Sequence, residues 1–268
     1  MTGTLRAALV TVTFNSREDL ATHWKNAAQL ALPWLVVDNA STDGSADLAR
    51  QMGAADVVEL AANMGFSAAN NLAAGLVNAE CYIFANPDVE VDSDSALRLA
   101  NYAIEHGVIA APQLLNLDGS PQENGRTDPY LYRKVVHFLG GRISRASGYE
   151  VRAEPSEVVS VDWAIGAALA IPRPILEALG GWDSKFFIYY EDSDICLRAR
   201  QLGFETRLIG DVRWVHAWAR STRKKISLNS WKFEFRSATR FYARYPRLLG
   251  HPRLSDLRSR LSAVFGAA

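Results

Sequence analysis

The sequence predicts an α/β protein whose first third is a Rossmann-like half-domain. The chain has 268 residues, of which 49% are hydrophobic and 22% charged, so it can bury a sizeable core. Apolar runs of strand length alternate with segments of helical composition, an order that favours parallel strands joined by right-handed crossovers. Runs that are apolar without alternation are typical of strands covered on both faces.

Four apolar runs near the N-terminus are the predicted strands. They are AALVTVTF at 7–14, WLVVD at 34–38, DVVEL at 56–60 and CYIFA at 81–85. The segments between them are compatible with helices at 17–31, 45–53 and 67–78. Because parallel strands present their carboxyl ends at one edge of a sheet, ligands of such sheets bind beyond that edge.

Polar groups follow all four of these strands. They are Asn15, DNASTDGS from Asp38, NMGFSAANN from Asn63 and the tripeptide Asn86-Pro87-Asp88. The sequence contains neither GxGxxG nor GxxxxGK[ST], so neither a dinucleotide fingerprint nor a P-loop explains these groups. They predict a binding site of another kind at this edge.

The second half of the chain is less regular. Residues 112–157 are rich in Gly, Pro, Asn and Arg, which predicts long loops or a mobile substrate-facing insert. VVSVDWAIGAALAIP then predicts a strand pair broken at Gly166, followed by a short helix at 174–179. A helix is predicted at 192–202, and a last strand ends at His216.

Charge is unevenly distributed. The chain has 29 basic and 29 acidic residues, yet residues 213–260 contain 13 Lys or Arg against two acids and so carry a charge of +11. This segment could meet an anionic surface, either a membrane or nucleic acid, and a solvated basic face explains it equally well.

The cysteines and apolar stretches indicate a reduced, cytosolic protein. Cys81 and Cys196 lie in apolar or helical patterns and form no CxxC motif or zinc-binding spacing. The apolar run after Arg6 is too brief for a signal peptide. The long uncharged stretch from Leu60 to Ala79 contains four Asn residues and is a poor transmembrane candidate.

Three features could carry chemistry. Asp88 follows a turn at a strand end, where a carboxylate can bind a divalent cation, although Asn-Pro-Asp alone is more often only a turn. In FFIYYEDSDICLRARQLG, aromatic pairs lead into three acids at a helix N-terminus, which could accept a proton or simply favour the helix. His216, at the end of the last strand, could complete a mixed site or be structural.

Together and in this order, these motifs resemble family 2 glycosyltransferases, the inverting nucleotide-sugar-dependent enzymes, and within them the rhamnosyltransferase-like group. The resemblance covers roughly residues 7–220. Its motifs are VTVTFNS, VVDNASTDGS, NMGFSAANN, FANPDVEV, VDWAIGAALAIPR, GGWDSKFFIYYEDSDICLRARQLGFET and the terminal His216.

The resemblance implies the GT-A fold. In that fold a Rossmann-like nucleotide-sugar-binding half, here 1–110, and an acceptor and catalytic-base half, here 111–220, share one mixed, mostly parallel sheet. Residues 221–268 would then form a basic, helical C-terminal extension.

The resemblance also implies the donor site and its metal. Base and ribose would be held by Thr13, Asn15, Asp38 and Asn39 and closed over by Asn63, Gly65, Phe66 and Asn71. Asn86 replaces the first Asp of the family's metal motif, so Asp88 would be the main carboxylate for Mg²⁺ or Mn²⁺. His216 would assist the metal or the diphosphate.

By the same resemblance, Asp192 is the second acid of the family's Glu-Asp pair and the catalytic base. It would deprotonate an acceptor hydroxyl that displaces the nucleotide in one inverting step. The sugar and acceptor pocket would be shaped by Trp163, Gly166, Tyr190 and Glu191.

The subgroup suggests dTDP-rhamnose as donor, with UDP- and GDP-sugars as alternatives, and a cell-surface glycan or lipid-linked acceptor. Aromatic and Arg residues interleave after residue 230, a pattern suited to the anionic inner face of the cell membrane, while packing onto the catalytic domain is nearly as good an account. We expect a cytoplasmic enzyme with peripheral membrane association. A nucleic-acid partner is not expected, because no RRM, KH or helix-turn-helix pattern accompanies the charge.

Two further alternatives fit less well. A catalytically silent sugar-binding protein would not need the intact set of Asp88, Asp192 and His216. A sugar-phosphate nucleotidyltransferase would carry a Gly-rich phosphate loop near the N-terminus, which this sequence lacks.

Overall fold

The computed structural model describes residues 5–133, 149–217 and 228–250. Its strands are β1 Leu5–Thr13, β2 Trp34–Asp38, β3 Asp56–Glu59, β4 Ala79–Ala85, β5 Ile109–Leu115, β6 Gly125–Arg126, β7 Glu150–Val151, β8 Val158–Val161, β9 Trp163–Ala164, β10 Ala168–Pro172 and β11 Thr206–Val215. Its α-helices are α1 Arg17–His23, α2 Ser45–Gln51, α3 Phe66–Leu76, α4 Ser93–His106, α5 Arg173–Ala178, α6 Glu191–Gln201 and α7 Leu228–Arg244. Short 3₁₀ helices lie at Ala27–Gln29 and Pro246–Leu249.

One large sheet organises the described part of the chain. Its eight strands run in the order β3-β2-β1-β4-β10-β5-β11-β8. β3, β2, β1 and β4 are mutually parallel, β10 is antiparallel to both β4 and β5, and β11 is parallel to β5. The predicted α/β fold with a mixed, mostly parallel sheet is confirmed, as are the four N-terminal strands.

The large sheet is covered on both faces, which explains its uninterrupted apolar strands. Successive side chains of a strand point to opposite faces. Leu9 and Ile83 accordingly join one buried cluster with α4, whereas Val10 and Phe84 join a second cluster with α3, α5 and α6.

Several elements differ from the prediction. The helix predicted at 17–31 ends at His23, and a 3₁₀ turn replaces its second half. The segment predicted as loops contains the end of β5 and the strands β6 and β7, and β6 pairs with both β7 and β9 in a small sheet of order β7-β6-β9. The break at Gly166 therefore separates two sheets, because β9 and β10 do not pair with each other.

The sequence reading missed α4 and β5. Asp92 caps α4 by accepting the Ser95 backbone N–H at 3.0 Å, and Gly107 ends the helix with a positive φ of 60°. Both are ordinary helix boundary signals. β5 lies between β10 and β11 in the large sheet and pairs with both.

The C-terminal part of helix α7 packs onto the preceding part of the described chain. Its C-terminal half and the following 3₁₀ helix bury Phe241, Tyr242, Tyr245 and Leu248 in a third cluster. Among the described residues, no helix combines the length and apolar character needed to cross a membrane. The predicted division at 110 and 220 stays a prediction, and residues 221–227 and 251–268 of the predicted extension lie outside the described residues.

Candidate active site

The floor of the candidate site lies where β1 and β2 end side by side. Thr13 and Asp38 are partners in the parallel register, and the Thr13 hydroxyl donates a hydrogen bond of 2.6 Å to Asp38 Oδ1. The Ser41 backbone N–H donates to Asp38 Oδ2 at 2.8 Å. Both Thr13 and Asp38 are buried, so they fix the shape of this edge from beneath.

Short side chains hold the loops above this floor. Asn39 Oδ1 accepts the Met64 backbone N–H at 2.8 Å, which joins the loop after β2 to the loop after β3. Asn63 Oδ1 accepts the Gly65 N–H at 2.9 Å. Asn15, itself at a positive φ of 53°, accepts the Thr42 N–H at 2.9 Å. The structure thus brings the predicted donor-binding residues of β1, β2 and β3 to one rim.

Gly65 joins that rim to the loop that precedes α6. It has a φ of 86°, and a Cβ placed there would lie 2.6 Å from the carbonyl oxygen of Phe187. The next residue, Phe66, donates its backbone N–H to that same oxygen at 2.8 Å. Only glycine fits this close approach.

Asn71 has a structural contact that was not expected. Its Nδ2 donates to the Trp182 carbonyl and its Oδ1 accepts the Trp182 N–H, both at 2.8 Å. Both ends of the amide are therefore used to tie α3 to the turn before Phe187. The predicted place of Asn71 at the nucleotide stays a prediction beside this structural contact.

Asp88 and His216 meet at the end of β4. His216 Nε2 lies 3.5 Å from Asp88 Oδ2, and the two side chains are only 7% and 13% exposed respectively. Backbone bonds hold the pair, because Val89 forms a bridge with His216 and the Ala217 N–H donates to the Asp88 carbonyl at 3.0 Å.

Gln122 orients the imidazole. Its Nε2 donates to the His216 carbonyl at 2.8 Å, which turns its Oε1 toward His216 Nδ1 at 2.9 Å. Since an amide oxygen only accepts, Nδ1 must carry a proton. Nε2 is then the nitrogen directed at Asp88 and at any cation bound there, an arrangement found in histidines that bind metals.

The Asp88 and His216 pair fits a divalent cation that takes its other ligands from phosphate oxygens and water. Mg²⁺ is commonly held in this way by one or two protein groups and substrate phosphates. Among the described residues, no group of three His, Cys, Asp or Glu side chains is arranged to hold a metal without such help.

Asp192 occupies the first turn of α6 with both carboxylate oxygens directed. Its Oδ2 accepts the Gly166 N–H at 3.0 Å, and its Oδ1 accepts the Ser193 N–H at 2.6 Å. A Cβ at Gly166 would lie 3.1 Å from Asp192 Cβ. These contacts fix the carboxylate against the start of β10.

Two consecutive residues join the Asp192 side of the site to the Asp88 side. Gly166 binds the Asp192 carboxylate, and the next residue, Ala167, accepts the backbone N–H of Asn86 through its carbonyl at 2.9 Å. The antiparallel pairing of β10 with β4 starts at the following residue. The predicted base and the predicted metal motif therefore share one short piece of backbone.

The other predicted pocket residues are only partly in place. Trp163 is buried, and its indole N–H donates to the Thr127 carbonyl at 3.0 Å, while Glu191 is half-buried at the start of α6. Tyr190 was expected to line the acceptor pocket. Its ring is instead buried against α7, with its centroid 5.1 Å from that of Phe241.

Sequence reasoning gave no role to three residues around the site. Gln122 lies in a segment without periodicity and 94 positions before its partner His216, so no local pattern marks it. Asp19 lies in α1, and burial and then the negative charge of Asp88 raise its pKa. Its position in a helical first turn would ordinarily be read as capping. Phe14 is an exposed aromatic side chain directly after β1.

Comparison with known sequences decides the family. The model of the family described as Glycosyl transferase family 2 matches residues 8–161, more than half of the chain. This protein is a member of glycosyl transferase family 2. The match includes the rim residues and Asp88, and the predicted resemblance is confirmed.

Two curated relatives of this family 2 chain are a hexosyltransferase and a rhamnosyltransferase. It is 28% identical over 204 residues to the "Low-salt glycan biosynthesis hexosyltransferase Agl10" of Haloferax volcanii, covering 72% of this chain and 61% of the relative. It is 29% identical over 208 residues to the "N-acetylglucosaminyl-diphospho-decaprenol L-rhamnosyltransferase" of Mycobacterium tuberculosis, covering 70% and 67%. The rhamnosyltransferase-like resemblance is thereby supported.

A solved structure shows the fold. This family 2 chain superposes on GalNAc-T7, crystallised with UDP, GalNAc and Mn²⁺, with a TM-score of 0.58 and 17% sequence identity. The match covers 80% of this chain and 43% of that one. The predicted GT-A fold is confirmed by this likeness.

Proposed function

We propose that the protein is an inverting glycosyltransferase that moves L-rhamnose from dTDP-rhamnose to a hydroxyl of a lipid-linked glycan. The observation that supports the proposal is the shared backbone of Gly166 and Ala167: Gly166 donates to the Asp192 carboxylate, and Ala167 accepts the N–H of Asn86, two residues before Asp88. Family membership and the rhamnosyltransferase relative support it.

The nucleotide would bind on the rim above β1, β2 and β3. Asp38 and Asn39 are buried and already bonded to the loops, so they would act mainly by holding loop backbone and Asn15 against the base and ribose. Gly65 and Phe66 would close the rim over the nucleotide, because their contact with Phe187 connects it to the loop before α6.

The diphosphate would lie beside Asp88 and His216. These two residues would hold Mg²⁺ or Mn²⁺, which when bound would neutralise the charge that develops on the leaving diphosphate. Gln122 would keep the Nδ1 proton on His216 and so keep Nε2 directed at the site. Asn86 contributes its backbone N–H to Ala167 and leaves Asp88 as the principal carboxylate.

Asp192 would perform the proton transfer. Its carboxylate would take the proton of an acceptor hydroxyl as that oxygen forms a bond to the anomeric carbon and the bond to the diphosphate oxygen breaks. The electron pair of that bond leaves with the nucleotide diphosphate. The Gly166 and Ser193 N–H groups hold the carboxylate in one orientation, which lowers the entropic cost of reaching the reactive geometry.

A transfer assay with purified protein tests the proposal. dTDP-rhamnose, UDP-sugars and GDP-sugars are offered with a polyprenyl-diphosphate-linked sugar as acceptor, and nucleotide release and the anomeric configuration of the product are measured. We expect Mn²⁺-dependent dTDP release, an inverted product, and loss of transfer in Asp192→Asn with dTDP binding retained.

Each contrary outcome has a defined meaning. Transfer only from UDP- or GDP-sugars would keep the enzyme class and change the donor. A product with retained configuration, or wild-type rates in Asp192→Asn, would overturn the mechanism. Stabilisation of the fold by dTDP without turnover on any acceptor would favour a sugar-binding protein.

A further inference from the structure

Helix α7 lies along the loop that precedes Asp192. Three residues spaced one helical turn apart on one face of α7 contact that loop. The Phe233 ring stacks on the Phe187 ring with centroids 4.6 Å apart. The Ser237 hydroxyl donates a hydrogen bond of 2.8 Å to the Ile188 carbonyl, and the Phe241 ring packs with its centroid 5.1 Å from that of Tyr190. Contacts with the loop before α6 account for the buried residues on this inner face of α7.

The opposite face of α7 is exposed to solvent. We define the outer face by Trp231 and Phe235, which are four residues apart, and by the exposed residues that continue or flank this row at the same spacing of four. Phe235 is 75% exposed and Trp231 44% exposed. The remaining members are also exposed, and they are Lys232, Arg236, Thr239 and Ala243.

The outer face is cationic. Lys232 and Arg236 flank Phe235 on this face, and together with the exposed Arg244 they outnumber Glu234, the acid of this helix, which is itself exposed. Exposed aromatic side chains between cations are characteristic of helices that lie in a membrane interface, where anionic lipids attract the Lys and Arg residues.

We propose that the outer face of α7 docks on an anionic phospholipid surface. The purpose of this docking rests on the proposed function, because an acceptor carried on a lipid must be met at the bilayer. An α-helix with its side chains is about 10–12 Å across, so docking would hold the loop before Asp192 about that far from the lipid surface. A sugar attached to a lipid through a diphosphate projects over such a distance.

Vesicle flotation with the full-length protein tests the docking. Vesicles of phosphatidylcholine alone are compared with phosphatidylcholine–phosphatidylglycerol mixtures at low and high salt. We expect flotation with the anionic vesicles only, weakened by salt. Lys232→Glu with Arg236→Glu should lower the partition coefficient by roughly 30-fold, at about fivefold for each lost cation. Phe235→Ser should lower it about tenfold.

A matched control separates this surface from net charge. Lys25→Glu, just after α1, is combined with Arg98→Glu, in α4, to make the same charge change at exposed positions. This double variant should float like the wild type. Melting temperatures confirm that each variant is folded. Wild-type flotation of the Lys232 and Arg236 double variant, or an equal loss in the control, would overturn the proposal.

The flotation needs neither donor nor acceptor. Failure of the transferase assay with intact, outer-face-dependent flotation would count against the proposed function alone. Binding to neutral and anionic vesicles alike would count against the electrostatic docking alone.

Discussion

The backbone N–H of Gly166 donates a hydrogen bond of 3.0 Å to Asp192 Oδ2. A Cβ on the same glycine would lie 3.1 Å from Asp192 Cβ, so a side chain there would require Asp192 to shift by a few tenths of an ångström. The predicted base is thus oriented by a residue that must remain small. Gly166 lies between β9 and β10, where the chain passes from one sheet to the other, so the Asp192 carboxylate is held at that point of the fold.

Gly166→Ala is expected to move Asp192 by a few tenths of an ångström. Because a small displacement of a reacting group is costly, kcat should fall by about 10- to 100-fold with a smaller change in KM for the donor. The measurement is steady-state transfer kinetics alongside a melting curve.

Gly75→Ala is the matched control for that variant. Gly75 lies inside α3, and no atom lies within 4 Å of the Cβ position. Alanine should leave transfer unchanged and add up to about 1 kcal/mol to the free energy of unfolding. Unchanged kcat in Gly166→Ala would show that Asp192 does not depend on this contact.

Much of this edge could be predicted because its signals are local. Each N-terminal strand is a short apolar run followed directly by polar residues, so Asp38 and Asp88 are marked by their immediate neighbours. Asp192 is likewise marked by its place at a helix N-terminus. Parallel pairing then brings the strand ends together without further information.

The missing parts depend on contacts between distant segments. Gln122 and His216 are 94 positions apart, and Gly166 binds a carboxylate 26 positions away. The small sheet pairs strands of only two residues, too short for any periodicity. Tyr190 is an aromatic residue next to the predicted catalytic acids, a position typical of a pocket wall. Only the packing of α7 shows that its ring is covered.

Asp88 and His216 are expected to act as one site in metal-dependent donor binding. Asp88→Ala or His216→Ala should abolish the Mn²⁺-dependent part of the thermal stabilisation by dTDP and leave the metal-independent part. Gln122→Leu should lower the apparent affinity for Mn²⁺ by about 10-fold, the usual effect of removing a residue that orients a metal ligand. Thermal shift titrations with and without Mn²⁺ measure all three.

An exposed carboxylate supplies the control for the metal titration. Asp94 lies in the first turn of α4, and Asp94→Ala should give the wild-type Mn²⁺ response. A wild-type response in Asp88→Ala would return Asn86-Pro87-Asp88 to the role of a turn.

The two cysteines are expected to be unreactive in the native protein. Burial raises the pKa of the Cys81 thiol and raises that of Cys196 to about 12, so neither forms an appreciable amount of thiolate at neutral pH. A thiol reagent such as DTNB should report no reactive thiol in the native protein and both after unfolding. Rapid reaction of one thiol in the native state would show that its cluster opens.

Acid should weaken the attachment of α7 at Asp183. Burial tends to raise the pKa of Asp183, but hydrogen bonds from the Lys185 N–H and the Arg244 guanidinium lower it below its ordinary value. A carboxyl whose pKa is lowered by folding adds stability above its unfolded pKa of about 3.9, and loses it as the pH falls through the folded pKa. Wild type should therefore be more stable than Asp183→Asn at neutral pH, and the difference should shrink below about pH 4. Unfolding curves at several pH values measure this, and a constant difference would contradict it.

Arg244 is expected to position Asp192 through α6 without touching it. Its guanidinium donates 2.6 Å hydrogen bonds to Asp194 Oδ1 and to Asp183 Oδ2. Asp194 is fully buried, two residues after Asp192, and also accepts from Arg198 and Tyr245. The connection matters because Tyr189 and Tyr190 both have positive φ, a strained backbone that persists only where its surroundings hold it.

Arg244→Ala should lower the free energy of unfolding by about 1–3 kcal/mol, the cost of leaving a buried charge short of a donor. It should also lower kcat more than it changes KM, because the strained loop can relax and turn Asp192 away. Arg244→Lys should recover part of both losses. Arg50→Ala removes an exposed arginine that pairs with Asp47 and Glu59, and should lower stability far less than Arg244→Ala, without affecting transfer. If Arg244→Ala lost stability with kcat unchanged, the connection to Asp192 would be refuted and Arg244 would be a purely structural residue.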